Sequence, residues 1–169
     1  MEEQVILVDT NDLPIGKMAK MEAHEKGILH RAFSVFVFNS RNELLLQQRA
    51  KSKYHSSGLW TNTCCSHPRW AESNIDAANR RLKEEMGMEC DLRYAFNFIY
   101  KSEFEDGLIE HELDHVFFGQ SDVLPKINID EVEDYRYMSL PDLQQDILNK
   151  PKDYTSWLKI CIEKVIEAI

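Results

Sequence analysis

Leu92, Tyr94, Phe96, Phe98 and Tyr100 fall on every second position, the period of a half-buried strand. Residues 109–118 read as its antiparallel partner, across a turn near Glu105-Asp106-Gly107. Residues 32–38 and 43–48 form a second strand pair, joined by Asn39-Ser40-Arg41-Asn42. A short strand is expected at 5–8, a helical stretch near 17–24, and a further strand at 135–138. Ser73 is a good N-cap with Asp76 three residues on. The helix it starts carries its apolar stripe on Ile75, Ala78, Leu82 and Met86 and stops at Gly87. Pro141 suits the first turn of another helix. A last helix over 154–168 puts Trp157, Ile160 or Cys161, Val165 and Ile169 at helical spacing. Strands with hairpin-length links, interleaved with helices, predict an α/β or α+β fold, a mixed sheet flanked by helices. The expected organisation is one domain over residues 1–169.

Charge changes the picture in one place. The chain carries a formal −9, which argues against nucleic acid or an anionic membrane as a partner. Yet residues 44–71 contain no Asp or Glu, while Arg49, Lys51, Lys53, His55, His67 and Arg69 lie there. A basic island in an acidic chain points to a local anion site, phosphate being the natural candidate; a chance solvated face is the competing reading. The apolar run at 32–38 is too short to cross a bilayer. With no basic, apolar leader at the N-terminus, Cys64, Cys65, Cys90 and Cys161 read as reduced thiols in a cytoplasm.

Chemistry concentrates in two segments, Cys64-Cys65-Ser66-His67 and Glu110-His111-Glu112. On a strand, Glu110, Glu112 and Asp114 share one face, with His111 and His115 on the other. Three acids on one face need either water or a cation. Adjacent Cys64 and Cys65 point opposite ways in extended backbone, so only one can serve a given site. His24, His30 and His67 lack the i,i+4 spacing of a helical metal motif. Together with two carboxylates, they would nonetheless suit Mn²⁺, Mg²⁺ or Zn²⁺.

Glu72, then Arg80-Arg81-Leu82-Lys83-Glu84-Glu85-Met86-Gly87, resembles the signature of the Nudix hydrolases. Ser66 stands where that signature has Gly, and Arg81 where it has the first Glu of its acidic triplet. These departures, with Leu29–Ser34, Leu45–Arg49, Trp60–Pro68, Glu110–Glu112 and Tyr154–Trp157, resemble the type I isopentenyl-diphosphate isomerases of the Nudix superfamily. That resemblance implies proton transfer to and from an isoprenoid diphosphate between Cys65 and Glu112, with Tyr100 hydrogen-bonded to the carboxylate. It implies one divalent ion on His24, His30, His67, Glu110 and Glu112. A Mg²⁺ would sit between Glu85 and the diphosphate. Lys20, Arg49, Lys53 and Arg81 would bind the diphosphate, and Trp157 would stack on the developing cation. A monomer or weak homodimer is expected. The two other readings are a Nudix-type diphosphate hydrolase and a metal- or diphosphate-binding module without turnover.

Overall fold

The computed structural model describes residues 2–169. One nine-stranded mixed sheet organises it. Its centre is β3 (His30–Phe38), which runs parallel to β8 (Ile109–Gln120) from His30↔Glu112 to Phe38↔Gln120. On its other side β3 pairs antiparallel with the three-residue strand β6 (Cys64–Ser66), Ser34 lying opposite Cys65. β7 (Leu92–Glu103) adds to β8 as the expected hairpin. β4 (Glu43–Arg49) carries β9 (Val132–Ser139) and the two-residue strand β5 (Trp60–Thr61). β1 (Gln4–Val8) and β2 (Pro14–Ala19) form a hairpin at the N-terminal end, joined to β3 at Leu7↔His30.

The helical reading of 17–24 is corrected by this hairpin. Lys17 and Met18 lie on β2, paired with Ile6 and Val5, and the helix α1 spans Lys20–Lys26. Lys17, Met18 and Ala19 have good helix propensity, but β1 supplies a partner strand, and tertiary pairing overrides it. α2 (Asn74–Met86) begins and ends as its sequence requires: Ser73 Oγ accepts from the Asp76 amide at 3.2 Å, and Gly87 caps it at φ 61°. A Cβ at Gly87 would stand 2.6 Å from the Lys126 carbonyl oxygen, so both conformation and space demand glycine.

Helices cover both faces of the sheet. Phe33, Val35, Val37, Cys64 and Phe117 pack with Leu82 and Met86 of α2. Phe36, Phe38, Val116 and Phe118 pack against α3 (Leu140–Asn149) and α4 (Ser156–Ala168). On α4 the buried stripe is Trp157, Cys161 and Val165, whereas Ile160 and Ile169 are exposed. The alternation of β7 also breaks. Tyr94 opposes Phe117 and Phe96 opposes Val116, so Ala95 is an extra residue that reverses the strand's parity. Tyr94 therefore faces out, while Phe98 and Tyr100 are buried.

The face of β8 that packs under α4 turns polar along its length. Phe118 and Val116 belong to the core, and two residues earlier each time come Asp114, Glu112 and Glu110. Among the described residues no helix is long and apolar enough to cross a membrane.

Candidate active site and metal centre

All three β8 carboxylates are buried, Glu110 at 4%, Glu112 at 6% and Asp114 at 2% exposure. The water-facing alternative for this strand face is excluded. Among the described residues none of the three has a Lys or Arg ion-pair partner. Imidazoles take that place. Glu112 Oε1 lies 3.1 Å from His67 Nε2 and 3.3 Å from His30 Nε2, and Glu110 Oε1 lies 3.0 Å from His55 Nε2. Tyr100 Oη is 2.7 Å from both Glu110 Oε2 and Glu112 Oε2. A phenol has one proton to donate, so the second short contact calls for a further proton or a cation among these groups.

His24 arrives from α1, His30 from the start of β3 and His67 from just beyond β6. Their ring nitrogens and a Glu112 oxygen lie within 4.8 Å of one another, every member buried. Four separate elements build this cluster, Glu112 coming from β8, which is why no single local spacing announces it. His30 Nδ1 donates to the Ile28 carbonyl at 2.9 Å, which leaves its Nε2 lone pair free, and the buried Nε2 atoms of His24 and His30 have no hydrogen-bond partner. Orphaned buried nitrogens aimed at a carboxylate fit a divalent cation, and the N and O donors suit Mn²⁺, Zn²⁺ or Mg²⁺.

Electrostatics agree. Burial and the neighbouring His67 and His30 pull His24 down to about 3, so it is neutral at pH 7. Burial also lowers His67, against the pull of Glu112. For His30 burial is outweighed by the nearby Glu112 carboxylate, 3.3 Å from Nε2, which raises it. Burial resists ionisation of Glu112, but the close imidazoles of His30 and His67 hold it well below the ordinary carboxylate range. Asp114 is driven the opposite way by burial and by the charge of Glu112, with its Oδ2 on Ser34 Oγ at 2.7 Å. Glu110, expected as a fifth ligand, stands outside the four-residue cluster and turns to His55 and Tyr100.

A cavity of about 920 Å³ opens onto these groups. Cys65, Tyr100, Trp157 and Asp114 line it together with Glu110 and Glu112. The β6 pairing separates the two cysteines as expected: Cys64 is buried in the α2 layer, and Cys65 faces the cavity. Burial pushes the Cys65 thiol up, Arg49 opposing, so it keeps its proton at neutral pH. Side-chain hydrogen bonds set this wall. Asn62 Nδ2 donates to the Val35 and Cys64 carbonyls at 3.1 and 2.9 Å, and its Oδ1 accepts from Trp157 Nε1 at 3.2 Å. Thr155 Oγ1 bonds Thr61 Oγ1 at 2.8 Å, tying the start of α4 to β5.

Lys20, Arg49, Lys53 and Arg81 all line the cavity, which gathers the basic island into one wall. Arg49 lies 5.2 Å over the Trp157 ring. Lys53 pairs with Glu131, and Arg81 reaches Glu84 at 2.7 Å and Glu85 at 2.5 Å. Glu85 is buried, with its second oxygen accepting from Gln47 Nε2 at 2.9 Å. His111 and His115 stay on the far face of β8, His111 Nδ1 on the Gly27 carbonyl and His115 Nε2 on Asp12 at 3.0 Å. Sequence reasoning passed over Tyr54, and met His55 only as part of the basic island; an irregular loop has no periodicity to expose them.

The NUDIX domain model matches residues 28–158 of the chain. The chain is 54% identical to isopentenyl-diphosphate Delta-isomerase 2 of Aromatoleum aromaticum, covering 98% of this chain and 88% of that protein. It is 52% identical to the isopentenyl-diphosphate Delta-isomerase of Pectobacterium atrosepticum, covering 96% and 90%. Among solved structures it resembles DR0079 of Deinococcus radiodurans, with a TM-score of 0.80 at 20% identity over 96% of this chain and 98% of that one. It also resembles a MutT protein of Methanosarcina mazei, with a TM-score of 0.67 at 17% identity over 80% and 91%. At such identities the last two speak for the fold alone.

Proposed function

Because the chain belongs to the Nudix family and, within it, to the isopentenyl-diphosphate Delta-isomerases, we propose that it interconverts isopentenyl and dimethylallyl diphosphate through proton transfer between Cys65 and Glu112. The observation that carries the residue assignment is the shared cavity: a protonated thiol and an ionised carboxylate line the same buried space.

An unactivated alkene needs a proton donor held close and shielded from water. The Cys65 thiol gives its proton to the terminal carbon, and positive charge develops at the branched carbon. Glu112 then takes a proton from the adjacent methylene, and the double bond moves one position. Thiolate and carboxylic acid are left, so their roles exchange in the reverse direction. A return of the proton to Cys65 resets the site for another forward turnover. Tyr100 holds Glu112 from one side, at 2.7 Å. The Trp157 ring faces the developing charge, a contact worth about 1–2 kcal/mol when desolvated. Lys20, Arg49, Lys53 and Arg81 bind the diphosphate.

A divalent ion held by His24, His30, His67 and Glu112, with Glu110 beside them, would supply fixed positive charge next to the carboxylates, and a Mg²⁺ held at Glu85 would offset the charge of the diphosphate. The four free cysteines support a reducing, cytoplasmic location.

Purified protein with Mg²⁺ and isopentenyl diphosphate should reach one equilibrium mixture from either isomer. Release of orthophosphate without isomerisation would instead establish a hydrolase, and ligand binding without turnover a binding module.

A further inference from the structure

The loop 50–59 between β4 and β5 reaches both halves of the site. Its base is closed by hydrogen bonds from the Arg49 amide to the Leu59 carbonyl at 2.8 Å and from the Gly58 amide to the Arg49 carbonyl at 3.0 Å. Ser56 at φ 52° and Gly58 at φ 71° turn it sharply through the left-handed region. Two consecutive side chains then meet different partners. The Tyr54 hydroxyl lies 2.8 Å from His24 Nδ1 on α1. His55 Nε2 lies 3.0 Å from Glu110 Oε1 on β8, its ring stacked on Phe104 at 4.8 Å and 12°.

The other nitrogen of His24, Nε2, is buried without a partner and belongs to the cluster with His30, His67 and Glu112. An imidazole offers a lone pair at Nε2 only when its proton sits on Nδ1, and a hydrogen-bond acceptor at Nδ1 favours that tautomer and fixes the ring. Tyr54 is in place to be that acceptor. Glu110 is likewise gripped twice, by His55 at Oε1 and by Tyr100 at Oε2.

We propose that Tyr54 and His55 form a positioning pair, Tyr54 aiming His24 at a divalent cation and His55 holding Glu110 beside it. The proposal deepens the metal-assisted reading above and rests on it. Its test needs no substrate, so its failure is distinct from a failure of the wild-type chain to isomerise. Outer hydrogen-bond partners of this kind are worth about 10–100-fold in metal affinity.

The full-length chain, stripped of metal, is titrated with Co²⁺ and followed by visible absorption. Tyr54→Phe keeps the ring beside Lys20, which lies 5.4 Å away, and deletes only the hydroxyl. It should bind Co²⁺ about 10–100-fold more weakly, with an unchanged melting temperature for the metal-free protein. His55→Leu should alter the Co²⁺ spectrum, and His55→Gln, which retains an N–H donor, should recover it. Wild-type Co²⁺ affinity and spectrum in Tyr54→Phe would overturn the proposal. So would identical Co²⁺ spectra for His55→Leu and His55→Gln.

Discussion

On α2, Glu85 is buried against Arg81 at 2.5 Å and Gln47 at 2.9 Å, whereas on β8 the polar partners of the buried Glu110, Glu112 and Asp114 among the described residues are imidazoles, a phenol and a serine hydroxyl. Both groups of carboxylates line one cavity. Arg81 is permanently charged, and Glu85 together with Glu131 raises its pKa further against the effect of burial. The charge at the helix is therefore fixed, and it suits an anionic ligand such as a diphosphate. The strand partners can gain, lose or share protons, or give way to a cation. A site that must move a proton needs partners of that second kind.

The comparison breaks most visibly at β8. Glu112→Gln should lower kcat by about 10²–10⁴-fold, and Cys65→Ala should do the same, measured by conversion of isopentenyl diphosphate at saturating substrate. Full activity in either variant ends the two-group mechanism. Next in size is metal affinity. His67→Asn removes a donor from the four-residue cluster, so it should weaken divalent-ion binding by at least the about 10–100-fold seen for outer partners. The rise in melting temperature on adding metal should shrink with it.

At α2 the expected effect is smaller and of a different kind. Arg81→Gln should raise KM about tenfold, about 1.4 kcal/mol, with little change in kcat. A collapse of kcat at constant KM would place Arg81 in the proton chemistry instead. The smallest effect belongs to Glu72, paired with Arg80 at 2.7 Å and lowered from its ordinary 4.5 chiefly by the Arg80 hydrogen bond. A lowered carboxylate pKa stabilises the fold above the ordinary value, and that stability is lost as pH falls through the folded one. Glu72→Gln should therefore be less stable than the wild type at pH 7, by less than about 1 kcal/mol, and the difference should shrink as pH falls below 4.5 through the lowered value.

Much of the strand region was legible. Period-two alternation placed Glu110, Glu112 and Asp114 on one face, and the parity of extended backbone separated Cys64 from Cys65. Ser73 and Gly87 bounded α2. What escaped depended on pairing with other elements. β2 exists because β1 pairs with it, and the Ala95 bulge shows only against β8. His24, His30 and His67 come from three separate elements, so residue types alone could offer a shared site but no spacing could single it out. Burial of the strand acids also had to await the fold, since α4 and the loop carrying His55 cover them.

Proton NMR of isopentenyl diphosphate incubated with the protein and Mg²⁺ in D₂O tests the central claim most directly. Exchangeable protons on Cys65 and Glu112 predict that dimethylallyl diphosphate forms with solvent deuterium in a methyl group. Substrate recovered after reversal should carry deuterium at the methylene next to the diphosphate-bearing carbon, and Glu112→Gln should show neither. Isomerised product free of deuterium, or orthophosphate in place of the isomer, would contradict the account.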